Sequence, residues 1–214
     1  MINNALIDQL AALAVMPVIQ IENADDAVKL VEVLSENGLP AAEITFRSAA
    51  AGESIRRIRA AFPDVILCAG TVLTITQVDE AVSAGADFII SPGFNPTTVN
   101  YCIKNGIKII PGINNPSQIE QALELGIKVV KFFPAEASGG VNMVKALVGP
   151  YSQIKLMPTG GIKPSNVMDY LAVPQVVACG GSWIATTADI ANNNWDTIAK
   201  SVRDTCQLVQ LNKT

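Results

Sequence analysis

The sequence predicts an α/β fold, a (β/α)8 TIM barrel with an extra N-terminal helix. Two observations carry this. Eight short apolar runs alternate with helical patterns along the 214 residues, and strict alternation implies parallel strands joined by helical crossovers. Four junctions also share one signature, a glycine that closes a helical pattern just before the next apolar run: Gly38, Gly85, Gly106 and Gly126. Glycine is the residue that accepts the left-handed position after a helix. A flavodoxin-like or Rossmann sheet is the alternative, and it would leave two or three strands without a place. No linker or low-complexity tract interrupts the pattern, so residues 1–214 read as one domain, at the compact end of the barrel's size range.

In chain order, MINNALIDQLAALAV places Ile2, Leu6, Leu10 and Leu13 on one helical face and carries Asp8 without a basic flank. That is an amphipathic helix that packs, not a signal peptide. The apolar runs follow: VMPVIQI (15–21), AAEITF (41–46), VILCAGTV (65–72), DFIISPG (87–93), KIIPGIN (108–114), VVKFFPA (129–135), KLMPTGG (155–161) and VVACGGS (176–182). Between them, 24–37 lines up Ala27, Leu30, Val31 and Leu34, and 117–125 offers Ile119 and Leu123 before Gly126. Both are helical stripes.

Half of the residues are hydrophobic and the net charge is -4, with no basic stripe. Nucleic acid is not an expected partner. No apolar run approaches the roughly 18 residues of a membrane span. The chain has no histidine, which removes imidazole acid–base catalysis and His-ligated metals. Cys68, Cys102, Cys179 and Cys206 form no CxxC pair and read as small core residues in a reducing, cytoplasmic setting. No histidine is present to complete a zinc site with them.

Active sites of this fold lie at the carboxyl ends of the strands. In the sixth run, period two puts Val129, Lys131 and Phe133 on one face. Lys131 is thereby embedded in an apolar strand, where desolvation favours a neutral, nucleophilic amine; a structural ion pair is the other reading. In the second run Glu43, Thr45 and Arg47 share a face, with Glu43 deeper and Arg47 at the mouth. Glu43 is a partner for Lys131 and a general acid–base, and Arg47 can grip a substrate anion. Thr71 can donate its hydroxyl to a carboxylate, and Pro92 with Gly93 can shape a wall, although turn chemistry alone accounts for both. The seventh and eighth runs end in Thr159-Gly160-Gly161 and Gly180-Gly181-Ser182. Paired glycines there let backbone N–H groups approach a phosphate, helped by a short helix starting nearby.

With these residues placed, the chain resembles the class I KDPG (2-keto-3-deoxy-6-phosphogluconate) and KHG (4-hydroxy-2-oxoglutarate) aldolases. The matching stretches are AEITFRS (42–48), AGTVL (69–73), ISPGFNP (90–96), IPGINNPSQ (110–118), VVKFFPAEASGG (129–140), GPYSQIKLMPTGGI (149–162) and CGGSW (179–183). The resemblance implies a homotrimer and a metal-free retro-aldol reaction through a Schiff base on Lys131. It makes Glu43 the acid–base and Arg47 with Thr71 the binders of the pyruvyl carboxylate. Pro92 and Phe133 would line the pocket, Gly160, Gly161, Gly181 and Ser182 would hold the distal phosphate, and Thr159 would also bind substrate. Phe46 and Ser48 are mild departures from the family pattern. Two other readings of the same residues are a phosphosugar isomerase or epimerase using Glu43 as base, and a non-catalytic phosphometabolite-binding barrel.

Overall fold

A computed structural model describes residues 2–210; Met1 and 211–214, the ends of the expected domain, lie outside the described residues. The chain starts with α1 (Asn4–Leu13), whose first turn is closed by the Asn3 side chain accepting the Leu6 N–H at 3.0 Å. Strands and helices then alternate: β1 (Val15–Ile19), α2 (Ala27–Glu36), β2 (Ala41–Thr45), α3 (Ala51–Ala61), β3 (Ile66–Gly70), α4 (Ile75–Ala84), β4 (Phe88–Ile90) and α5 (Pro96–Lys104). The second half continues with β5 (Ile109–Ile110), β6 (Gly112–Ile113), α6 (Pro116–Glu124), β7 (Val129–Phe132), α7 (Gly140–Val148), β8 (Lys155–Pro158), α8 (Val167–Leu171), β9 (Cys179–Gly181), α9 (Thr187–Ala191) and α10 (Trp195–Gln210).

All eight apolar runs contain strand. The fifth is split into β5 and β6 by Pro111, which has no N–H to give to a ladder. The split divides the strands into a six-stranded parallel sheet, β5-β4-β3-β2-β1-β9, and a three-stranded one, β6-β7-β8. The Lys131 N–H donates to the Pro111 carbonyl at 2.9 Å across the split. On the other side, isolated parallel bridges join Leu156 to Val176 and Thr159 to Gly180. The result is a curled parallel sheet clad in helices.

Alternate strand residues enter different apolar clusters. Ala42, Ile44, Leu67, Ala69, Ile89 and Val130 join the layer between strands and helices. Met16, Ala41, Cys68, Phe88, Ile110, Val129 and Met157 form a second cluster on the other face, completed by Leu6 and Leu10 of α1. The extra N-terminal helix therefore covers one end of this inner cluster. All four predicted junction glycines are left-handed, Gly38 at φ 106, Gly85 at 101, Gly106 at 69 and Gly126 at 73.

Candidate active site

The inner cluster is the floor of the site. One pleat further along β2 and β7, in the same facing positions as Ala41 and Val129, stand Glu43 and Lys131. The Lys131 Nζ donates to Glu43 Oε1 at 3.1 Å, with both side chains buried. The period-two reading of both strands is thus correct for this pair. Two opposite charges in an apolar interior stabilise each other, but each is costly if its partner is removed. Glu43 Oε2 is buried and has no hydrogen-bond partner, so it can still accept a proton or a hydrogen bond. The Phe133 ring lies beside the ammonium, 5.6 Å from Nζ to the centroid.

The second strand is shorter than its period-two pattern implies: β2 ends at Thr45, and Arg47 sits exposed in the following turn. Local hydrogen bonds take over there: Thr45 Oγ1 donates to the Ile19 carbonyl at 2.9 Å, Ser48 Oγ to that of Ile21, and the Phe46 N–H to that of Gly70 at 2.8 Å. They fix the turn to both neighbouring strands and hold Arg47 at the rim, beyond the end of β2.

Thr71, just past β3, is half-buried at φ 56. A β-branched residue in the left-handed region is strained by about 1–3 kcal/mol. Such strain is common at binding sites. Pro92 is half-buried after β4. Its carbonyl packs on Gly112, where a Cβ would lie 2.2 Å from the Pro92 oxygen, and Gly112 pairs in register with Lys131. Pro92 is therefore adjacent to the Lys131 strand.

The two glycine pairs differ. Gly160 and Gly161 are left-handed, at φ 103 and 80, and pack against Phe133 and Glu136. Gly180 and Gly181 lie in β9 with ordinary backbone and serve close packing: a Cβ on Gly180 would meet Thr159 Oγ1 at 2.3 Å, and one on Gly181 would meet Val15 and Trp183. The second pair belongs to the ladder with β1, whereas the first lies just past the end of β8. The short helices start only at Val167 and Thr187. Thr159 is buried with its hydroxyl unpartnered, and Ser182 is exposed just past β9. The Thr159–Gly180 bridge makes these two strand ends neighbours.

Two glycines in this constellation, Gly70 and Gly112, are not among the site residues expected from the sequence. An isolated glycine inside a strand pattern is the signal that points to such close approaches. Burial, reinforced by the Glu43 charge, pushes the nearby Cys68 thiol well up. Among the described residues no group of three or more Cys, Asp or Glu side chains is placed to share a metal ion.

The family model for KDPG and KHG aldolases matches residues 6–201. The chain belongs to the KDPG and KHG aldolase family. It is 54% identical over 205 residues to the 2-dehydro-3-deoxy-phosphogluconate aldolase of Haemophilus influenzae, covering 96% of this chain and 97% of that one. It is 39% identical to the KHG/KDPG aldolase of Escherichia coli, with 92% of both chains covered. The crystal structure of the Legionella pneumophila KDPG aldolase, in which pyruvate is captured as a covalent carbinolamine, superposes with a TM-score of 0.89 at 38% identity, covering 92% of this aldolase-family chain and 97% of the other. The isomerase reading gains no support from these relatives.

Proposed function

We propose that this protein is a class I aldolase that cleaves 2-dehydro-3-deoxy-6-phosphogluconate to pyruvate and glyceraldehyde 3-phosphate, and 4-hydroxy-2-oxoglutarate to pyruvate and glyoxylate. The observation that carries the reading is the buried Lys131 Nζ, 3.1 Å from Glu43 Oε1, in a chain whose relatives are named for these two activities.

One carboxylate serves the whole cycle. Glu43 takes a proton from the Lys131 ammonium, and the freed amine adds to the C2 ketone. Returned to the carbinolamine hydroxyl, that proton lets water leave and creates an iminium. Glu43, again a carboxylate, removes the C4 hydroxyl proton through a water; the C3–C4 bond breaks and its electrons enter the iminium, leaving an enamine as the aldehyde departs. Glu43 then protonates C3, and hydrolysis of the new iminium releases pyruvate and restores the ammonium. Each step leaves the carboxylate in the state that the next requires.

Arg47 and Thr71 bind the substrate carboxylate at the rim, and Pro92 and Phe133 form the walls. Gly160, Gly161, Gly181 and Ser182 receive the distal phosphate, and Thr159 also binds substrate. No cofactor or metal takes part. A phosphate engages this end better than the glyoxylate carboxylate, so 4-hydroxy-2-oxoglutarate turns over more slowly; equal kcat/KM for both compounds contradicts this. The two sheets close as a (β/α)8 barrel over one domain spanning 1–214, a reading supported by the links at Pro111 and at Thr159–Gly180. The chain works as a cytoplasmic homotrimer without nucleic-acid or membrane partners; among its described residues no helix is long and apolar enough to cross a membrane.

The test is borohydride trapping with pyruvate, followed by peptide mapping. A reduced pyruvyl adduct on Lys131 is expected; an adduct elsewhere, or none, rejects the assignment.

A further inference from the structure

We propose that Gly70 is a positioning residue of the reaction: the space left by its missing side chain is the seat that holds the Glu43 carboxylate against Lys131. The proposal rests on the roles given above to Lys131 and Glu43.

Gly70 ends β3, paired with Thr45 one pleat beyond Glu43 on β2. Its φ is not left-handed, unlike that of Gly160 or Gly161, so its backbone does not require glycine. Space does. A Cβ built there would stand 2.2 Å from Glu43 Oε1, 2.6 Å from Cγ and 2.8 Å from Cδ. The three nearest atoms all belong to one side chain, and Oε1 is the oxygen that accepts from Lys131 Nζ.

The carboxylate has little else to locate it. Oε2 has no partner, and the bond from Lys131 is the hydrogen bond that orients Oε1. Ordinary van der Waals contact begins near 3.4 Å, so a methyl group at position 70 forces the carboxylate aside by about an ångström. The apolar floor below, with Cys68 paired to Glu43, offers no second polar resting place. Misplacement on that scale can cost roughly a hundredfold in rate. The lysine itself is unaltered, so imine formation is slowed but not abolished while proton transfer suffers.

The experiment compares Gly70→Ala alone and in a Glu43→Ala background, using the full chain. With Glu43 present, kcat is expected to fall at least roughly tenfold with KM changed less than about threefold, while borohydride still traps pyruvate on Lys131. In the Glu43→Ala background the same change should alter kcat by less than about threefold and leave Tm unharmed, because the obstructed carboxylate is gone. If Gly70→Ala alone is too unstable to assay, recovery of Tm in the double variant supports the proposal. Wild-type kcat in a folded Gly70→Ala protein, an equal loss of kcat in both backgrounds, or an equal loss of Tm in both overturns it. Failure to trap pyruvate on Lys131 in the unaltered protein would instead overturn the reading on which the proposal rests.

Discussion

Lys131 and Glu43 occupy positions that solvation opposes, and each is tolerated because the other is there. Replacing Lys131 by Met leaves a carboxylate unpaired in the interior, so activity should drop to background and stability by about 3–5 kcal/mol; a urea midpoint equal to wild type would contradict the coupling. Glu43→Gln should cut kcat strongly while pyruvate can still be trapped on Lys131. Thr71 offers an opposite trade. Asparagine tolerates the left-handed region better than threonine, so Thr71→Asn should hold or raise Tm while raising the substrate KM. A lower Tm with unchanged KM would show that φ 56 is not strained in service of binding. Burial raises the thiols of Cys68, Cys102 (to about 11) and Cys179 above the ordinary 9.0. Above that pH the unfolded chain loses protons that the native state keeps, so stability must fall as pH rises beyond about 9; thermal unfolding across pH 8–11 checks the sign.

At the scale of elements, α1 is held by what it covers. Leu10 is fully buried in the inner cluster, and Leu10→Ala should cost about 2–5 kcal/mol, read as a shift in denaturant midpoint at constant slope. Helix starts follow side-chain chemistry: the Asn3, Thr74, Asn95 and Asn115 side chains accept N–H groups from α1, α4, α5 and α6. Left-handed Gly85, Gly106 and Gly126 close the other ends of α4, α5 and α6. The glycine stops were legible because each depends on one or two neighbouring residues. The break at Pro111 was visible as a proline, but not as the point where the chain passes from one sheet to the other. The end of β2 before Arg47 was hidden because hydroxyl bonds from Thr45 to the end of β1 and from Ser48 to Ile21 just past it decide it.

For the whole molecule, the proposed homotrimer predicts a single species of three chain masses in sedimentation, and a stable monomer in dilute solution would refute it. The alternation of apolar runs and helices, the glycine stops, the absence of histidine and the lysine in an apolar strand were all written in the sequence. Periodicity and composition are properties of the chain itself. Distance between remote residues is not. That Glu43 reaches Lys131 across 88 positions, that Gly70, Gly112 and Gly180 yield their side-chain space to Glu43, Pro92 and Thr159, and that Gly160-Gly161 is left-handed while Gly180-Gly181 is not depend on how far the sheet curls and which strands become neighbours. Those are decided by packing of the whole chain, so only the tertiary structure could give them.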